Sequence, residues 1–257
     1  MLAIGEKINV ISKKIGKAMA ERDETAIREM AKAQVEAGAN ILDINIGSTK
    51  EGPARMEWLV KVVQDEVDVP CSLDSRNPEA IEAGLKAHKG QAMINSTDGT
   101  AEMLDVLMPL AAQYKAKIIG LTMAKGIPRD ATERAAIAVD IMGSAMANGV
   151  DLEDLYLDPL VLPIKVAQNQ AIEVFEAIKL FRQLNDPPLK TVVGLSNISN
   201  EVFGEVKGRL DRVFLVSLMA LGLDAAIIDT LDTELMNSLK TEQIFRGDIL
   251  YCDSYLD

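Results

Sequence analysis

The sequence predicts a closed (β/α)8 TIM barrel running as one domain over residues 1–257, and three observations carry that reading. Short apolar runs alternate with longer segments of helical period, and the alternation never breaks. The runs centre near Ile4, Ile41, Ser72, Met93, Ile119, Tyr156, Val193 and Ile227, which makes eight, about 32 residues apart on average and so the length of one βαβ unit. No Pro/Gly/Ser-rich linker divides the chain, and no Gly-x-Gly occurs, so the rival open doubly wound sheet lacks its dinucleotide fingerprint.

The segments between the runs carry helix signals. After the second run, Met56, Leu59, Val60, Val63 and Val67 stand at i, i+3, i+4, i+7 and i+11, one stripe of a helix that lies against a sheet. After the third, Asn77-Pro78 reads as an N-cap followed by proline at the first helical position, where its missing N–H does no harm. After the fifth, Asp130 and Glu133 have the spacing of a capping box. Trp58 and Phe175 are expected in core packing, with a helical face shared between two copies of the chain as the alternative.

With 48% apolar residues the chain can bury a large core, and 27 Lys plus Arg against 39 Asp plus Glu leave a formal charge of −12. The longest uncharged stretch, Val213 to Leu223, has 11 residues, well short of the roughly 20 that cross a bilayer, so no membrane partner is expected. Residues Met1 to Lys7 meet an acid before any apolar run forms, which predicts no export signal and a cytoplasmic protein. Cys71 and Cys252 form no CxxC and are expected as small buried hydrophobes. An acidic surface without basic runs excludes nucleic acid as a partner.

In such a barrel the chemistry sits at the C-terminal ends of the strands. The first run ends Gly5-Glu6-Lys7-Ile8-Asn9, the second Asp43-Ile44-Asn45, the third Asp74-Ser75-Arg76 and the fourth Asn95-Ser96-Thr97-Asp98. Thr122, Asp158, Ser196-Asn197-Ile198-Ser199 and Asp229-Thr230 close the other four. Carboxylates are costly to bury unpaired, so a ring of them faces water, each other, or a ligand rich in N–H donors. Some of these residues also suit turns and helix caps.

Several chemistries fail on inventory. The one histidine, His88, falls late in the third helix, at the wrong end of the barrel, and is expected at the surface. Zinc sites built on His or Cys are therefore excluded, as is a nucleophile elbow at Gly194-Leu195-Ser196-Asn197-Ile198, which lacks both its second glycine and a partner histidine. Asp229-Thr230-Leu231-Asp232-Thr233-Glu234 would repel a phosphate where barrels of this kind bind one. Two options stay open: a neutral, donor-rich heterocycle held by carboxylates and amides, and a metal-assisted lyase or isomerase using Mg²⁺ on Glu6, Asp43, Asp74 and Asp158.

The strand-end motifs, in this order, resemble those of pterin-binding methyltransferases. They are Gly5-Glu6-Lys7-Ile8-Asn9, Asp43-Ile44-Asn45, Leu73-Asp74-Ser75, Ile94-Asn95-Ser96, Leu157-Asp158-Pro159 and Gly194 to Ser199, with Tyr251-Cys252-Asp253-Ser254 near the end. The chain is most similar to methyltetrahydrofolate:corrinoid/iron-sulfur protein methyltransferases, to the tetrahydrofolate methyltransferase components of O-demethylase and methylamine systems, and to the folate domain of cobalamin-dependent methionine synthase. Dihydropteroate synthases share the pterin barrel, yet neither their first-strand motif nor a C-terminal Ser-x-Arg occurs, so that sibling is the lesser alternative.

The resemblance implies a substrate, tetrahydrofolate or 5-methyltetrahydrofolate, and a partner. Asp74, Asn95 and Asp158 would hold the hydrogen-bonding edge of the pterin, with Ser96, Ser196 and Ser199 in support and Glu6, Asn9, Asp43 and Asn45 as possible further contributors. Asn197 matches the position that hydrogen-bonds N5, the methyl-bearing atom, and is the implied catalytic residue. Lys207 or Arg209 is the guess for the glutamate tail, against the alternative of ordinary solvated charges. The cobalt would arrive on a separate corrinoid protein, because the base-off signature Asp-x-His-x-x-Gly is absent and His88 follows Lys86-Ala87. A homodimer is also implied, while the direction of transfer is open.

Overall fold

The structure, a computed structural model, describes residues 1–256. Eight strands follow one another: β1 (Leu2–Asn9), β2 (Ile41–Asn45), β3 (Cys71–Asp74), β4 (Met93–Asp98), β5 (Lys117–Leu121), β6 (Leu155–Asp158), β7 (Lys190–Gly194) and β8 (Ala225–Ile228). Each pairs in parallel with the next, and β1 pairs with β8, so the sheet closes. All eight expected strand centres fall inside these strands. The connections hold α1 (Lys13–Glu21) and α2 (Glu24–Glu36), α3 (Gly52–Gln64), α4 (Pro78–Ala87), α5 (Ala101–Tyr114), α6 (Ala131–Ala147), α7 (Ile164–Ala167) and α8 (Gln170–Phe181), and α9 (Glu205–Ala220). The last helix, α10 (Thr233–Phe245), follows β8.

A parallel barrel buries both strand faces, and side chains alternate between them. Ile4, Ile41, Met93, Ile119, Tyr156, Val192 and Ala225 cluster together as the barrel interior. Their neighbours Ala3, Leu42, Ile94, Ile118, Leu157, Val193 and Ala226 pack outward against the helices. Counting two residues up each strand from the interior layer therefore reaches the mouth: Glu6 from Ile4, Asp43 from Ile41, Asn95 from Met93, Leu121 from Ile119 and Asp158 from Tyr156.

The helix signals resolve in detail. Met56, Leu59, Val60 and Val63 are buried on α3, but Val67 lies past its end. Asn77 caps α4 through the Glu79 N–H at 2.9 Å, with Pro78 at N1. Asp130 accepts from the Glu133 N–H at 2.9 Å, yet Glu133 turns to the Arg129 N–H at 2.7 Å, so the box closes on its neighbour. Phe175 packs on Phe214 with ring centroids 5.2 Å apart, and Trp58 lies under the Arg22 guanidinium.

Two expectations need correction. Cys71 is buried, but Cys252 is exposed beyond α10. His88 is half-buried rather than on the surface: its Nε2 accepts the Cys71 N–H at 2.9 Å and its Nδ1 lies 3.3 Å from the Gly90 carbonyl. The ring thus replaces a ladder partner at the foot of β3. No helix among the described residues is long and apolar enough to cross a membrane.

Candidate functional site

A cavity of about 670 Å³ opens at the C-terminal mouth, in the range of small-molecule sites. Every strand supplies its inward residue to the wall: Glu6, Asp43 with Asn45, Asp74, Asn95, Leu121, Asp158, Gly194 and Ile227. For the fifth and eighth strands this corrects the expected Thr122 and Asp229. Thr122 is buried and donates its hydroxyl to the Asp158 carbonyl at 2.8 Å, and Asp229 forms an ion pair with Lys7.

Regular alternation would send consecutive residues to opposite faces, yet Glu6 and Lys7 both reach the cavity. The cause is a shift of register between Gly5 and Ile8, where β1 carries one residue more than β2. The Lys7 N–H, freed from the ladder, donates to Gln34 Oε1 at 2.9 Å. Gln34 is fully buried on α2, and a Cβ at Gly5 would come 2.6 Å from that same oxygen, so glycine is what lets the amide in. A second shift, between Ile94 and Thr97, brings both Asn95 and Ser96 to the wall.

The polar ring is internally braced. Buried Asp43 accepts from Ser72 Oγ at 2.7 Å and Asn95 Nδ2 at 3.0 Å, so it holds the Asn95 amide from behind. Asp74 accepts from Asn45 Nδ2 at 2.5 Å. Ser196 Oγ lies 2.8 Å from both oxygens of Glu6. Arg134, fully buried on α6, donates Nε to the Pro159 carbonyl at 2.6 Å and fixes the turn after β6, where the Leu160 N–H meets Asp158 Oδ1 at 2.8 Å.

Burial dominates the electrostatics. It pushes the Asp158 carboxyl up to about 7, against the Leu160 N–H and the charge of Arg134. It raises Asp43 and Asp74 as well, the charge of Asp74 adding to the rise at Asp43. When ionised, the carboxylates of such a ring have acceptor capacity to spare. Among the described residues no three acid, histidine or cysteine side chains come close enough to share a cation.

Asn9 also lines the cavity, as do Ser196 and Asn197. Asn197 is exposed, and its amide has no hydrogen-bond partner among the described residues. Ser199 is buried behind the wall, its hydroxyl 3.4 Å from the Ser196 carbonyl. Lys207 pairs with Asp211 at 2.6 Å and Arg209 is exposed; neither lines the cavity. The sequence reading placed Lys7 and Arg76 at strand ends without giving them a role, and passed over Leu160, Val161 and the inward Leu121 and Ile227. Strict counting by two finds the last pair, whereas Lys7 enters only through the bulge.

Across nearly the whole chain (99%), the protein is 28% identical to the methylcorrinoid:tetrahydrofolate methyltransferase of Eubacterium limosum, covering 94% of that protein. It is 31% identical to the methionine synthase of Mycobacterium tuberculosis, but spans only 21% of that larger protein. The dihydropteroate synthase of Thermus thermophilus superposes with a TM-score of 0.70 at 20% identity, over 97% of this chain and 94% of that one, which speaks for the fold. Residues 5–229 match the profile described as "Pterin binding enzyme", and with that match over a barrel of this architecture, the chain belongs to the pterin-binding enzyme family.

Proposed function

We propose that this enzyme moves a methyl group between N5 of tetrahydrofolate and the cobalt of a corrinoid carried by a separate protein. The observation that carries the reading is the acceptor-rich set Asp74, Asn95 and Asp158 on one cavity wall, with the unpartnered Asn197 amide at its edge. The name of the Eubacterium limosum relative supports the reaction, and the family match supports the pterin.

The ring's N–H groups would donate to Asp74 and Asp158, and the Asn95 amide, held by Asp43, would meet an edge that both gives and takes hydrogen bonds. Leu121, Leu160 and Val161 line the same cavity and would exclude water from the flat faces of the pterin. An amide anion is far too basic to leave, so N5 has to gain positive charge as its methyl group departs. The Asn197 amide, which does not ionise at neutral pH, would accept from N5–H⁺ or donate to neutral N5, and its grip would tighten as charge builds. The corrinoid supplies a strongly nucleophilic metal centre as the other methyl carrier. Both directions of transfer run over these atoms.

Two features support a visiting corrinoid protein. The His88 ring is engaged at the foot of β3, away from the mouth. Exposed Ile11, Ile127 and Phe203 on loops and Val166 on the short helix α7 stand around the mouth, an apolar rim for a transient partner. A cytoplasmic homodimer belongs to the same reading, and sedimentation equilibrium tests the dimer.

The decisive experiment mixes the protein with tetrahydrofolate and methylcobalamin, follows the cobalt absorbance, and assays for 5-methyltetrahydrofolate. The expected result is matched loss of one methyl carrier and gain of the other. Tight folate binding with no methyl movement would overturn the reading and leave a folate-binding module.

A further inference from the structure

We propose that Glu6 is the proton donor to N5 when the methyl group leaves the folate, and the proton acceptor when it arrives. This rests on the methyltransferase reading. Glu6 stands on the inward face of β1, on the cavity wall, and both of its oxygens lie 2.8 Å from the Ser196 hydroxyl. Ser196 immediately precedes Asn197, so the carboxyl is tethered to the segment that carries the implied N5 contact.

The other groups are spoken for. Asp43 is held by Ser72 and Asn95, while Asp74 and Asp158 are needed ionised at the N–H edge of the ring. The Asn197 amide does not ionise, and a serine hydroxyl is too weak an acid. Charged neighbours face Glu6 from three sides: Lys7 on its own strand, Asp229 after β8 and Lys207 on α9. Lys7 is paired with Asp229 and Lys207 with Asp211, so both cations already have partners, and among the described residues only the Ser196 hydroxyl hydrogen-bonds to the Glu6 carboxyl. Burial accordingly raises its pKa, which favours the protonated acid.

The step balances. The proton of the Glu6 carboxyl joins the N5 lone pair, and the N5–CH3 bond breaks with its electron pair left on N5. The methyl carbon bonds to the electron pair of the corrinoid acceptor. The products are the N5–H amine and a Glu6 carboxylate, which the Ser196 hydroxyl stabilises. In reverse, that carboxylate takes the proton from N5 as the methyl group lands.

The test is single-turnover transfer from saturating 5-methyltetrahydrofolate to cob(I)alamin, across pH, with folate affinity measured by calorimetry. Glu6→Gln should slow transfer on the order of 100-fold with affinity held within about twofold, and should erase the limb on which the wild-type rate falls as pH rises. Ser196→Ala keeps the acid but loses its tether, and should move that limb rather than erase it. A Glu6→Gln protein with the wild-type rate and profile, or one that loses affinity and rate equally, overturns the proposal and leaves the methyltransferase reading standing. A wild-type protein that moves no methyl group instead overturns the reading itself.

Discussion

The side-chain amide of Asn197 rests against the bare backbone of Gly194: a methyl group built on that Cα would come 3.0 Å from Nδ2. Gly194 has φ −79°, a value any residue adopts, so the glycine is needed here for space and not for backbone freedom. Gly194→Ala should push the amide aside by a few tenths of an ångström. Methyl transfer should slow by roughly ten- to a hundred-fold, with folate affinity within about twofold and little change in Tm. Single-turnover rates beside calorimetric affinities check this, and equal losses in both would make Asn197 a binding residue only.

Folate affinity should rise with pH and level off above about 7. In the free protein Asp158 titrates near 7, because burial disfavours its charge, while a ring presenting N–H groups needs the carboxylate. Binding therefore expels a proton, and each pH unit below that value weakens binding by up to about tenfold per proton. Calorimetry at pH 6.5 in two buffers of different ionisation enthalpy should report proton release, and Asp158→Asn should bind weakly and lower that release. Identical heats in both buffers would contradict this.

Gln34 is a support of the site although it never touches the cavity. Gln34→Leu leaves the Lys7 N–H without its 2.9 Å acceptor inside the bulge, which should cost about 1–3 kcal/mol of stability. Urea denaturation measures the loss. Because Glu6 and Lys7 lose their common support, the variant should also transfer methyl groups more slowly while still folded.

His88 should make the foot of the barrel acid-sensitive. Burial holds its pKa below the ordinary 6.5, and the neutral ring accepts the Cys71 N–H through Nε2, which a protonated ring cannot do. The unfolded chain takes up the proton first, so this contribution to stability is lost as pH falls from about 6.5 through the lower folded value. The stability of wild type relative to His88→Gln, measured in urea at pH 7.5 and 5.5, should be smaller at the lower pH.

Much of the barrel was legible because its signals are local. An apolar strand followed by a helical stripe repeats at βαβ length, and side-chain alternation carries the residue two places above an interior one to the mouth, a polar one in β1, β2, β4 and β6, as from Ile4 to Glu6 and from Tyr156 to Asp158. The same rule, applied without a preference for polar residues, names Leu121 and Ile227 in place of Thr122 and Asp229. Ser199, expected in support of the site, is buried behind the wall, and Lys207, weighed for the glutamate tail against an ordinary solvated charge, is paired with Asp211.

The amino-acid sequence by itself determined the count and spacing of the strands, which residues point inward where the strands are regular, and hence the acceptor-rich character of the mouth, since all of these follow from periods of two and 3.6 residues. Only the closed barrel decided which groups meet. The bulge that turns both Glu6 and Lys7 inward, the Gln34 amide that satisfies it, and the bond from Glu6 to Ser196 across 190 residues arise from register between strands and from closure of β8 on β1. Register and closure are properties of pairing between distant segments, and no local period encodes them.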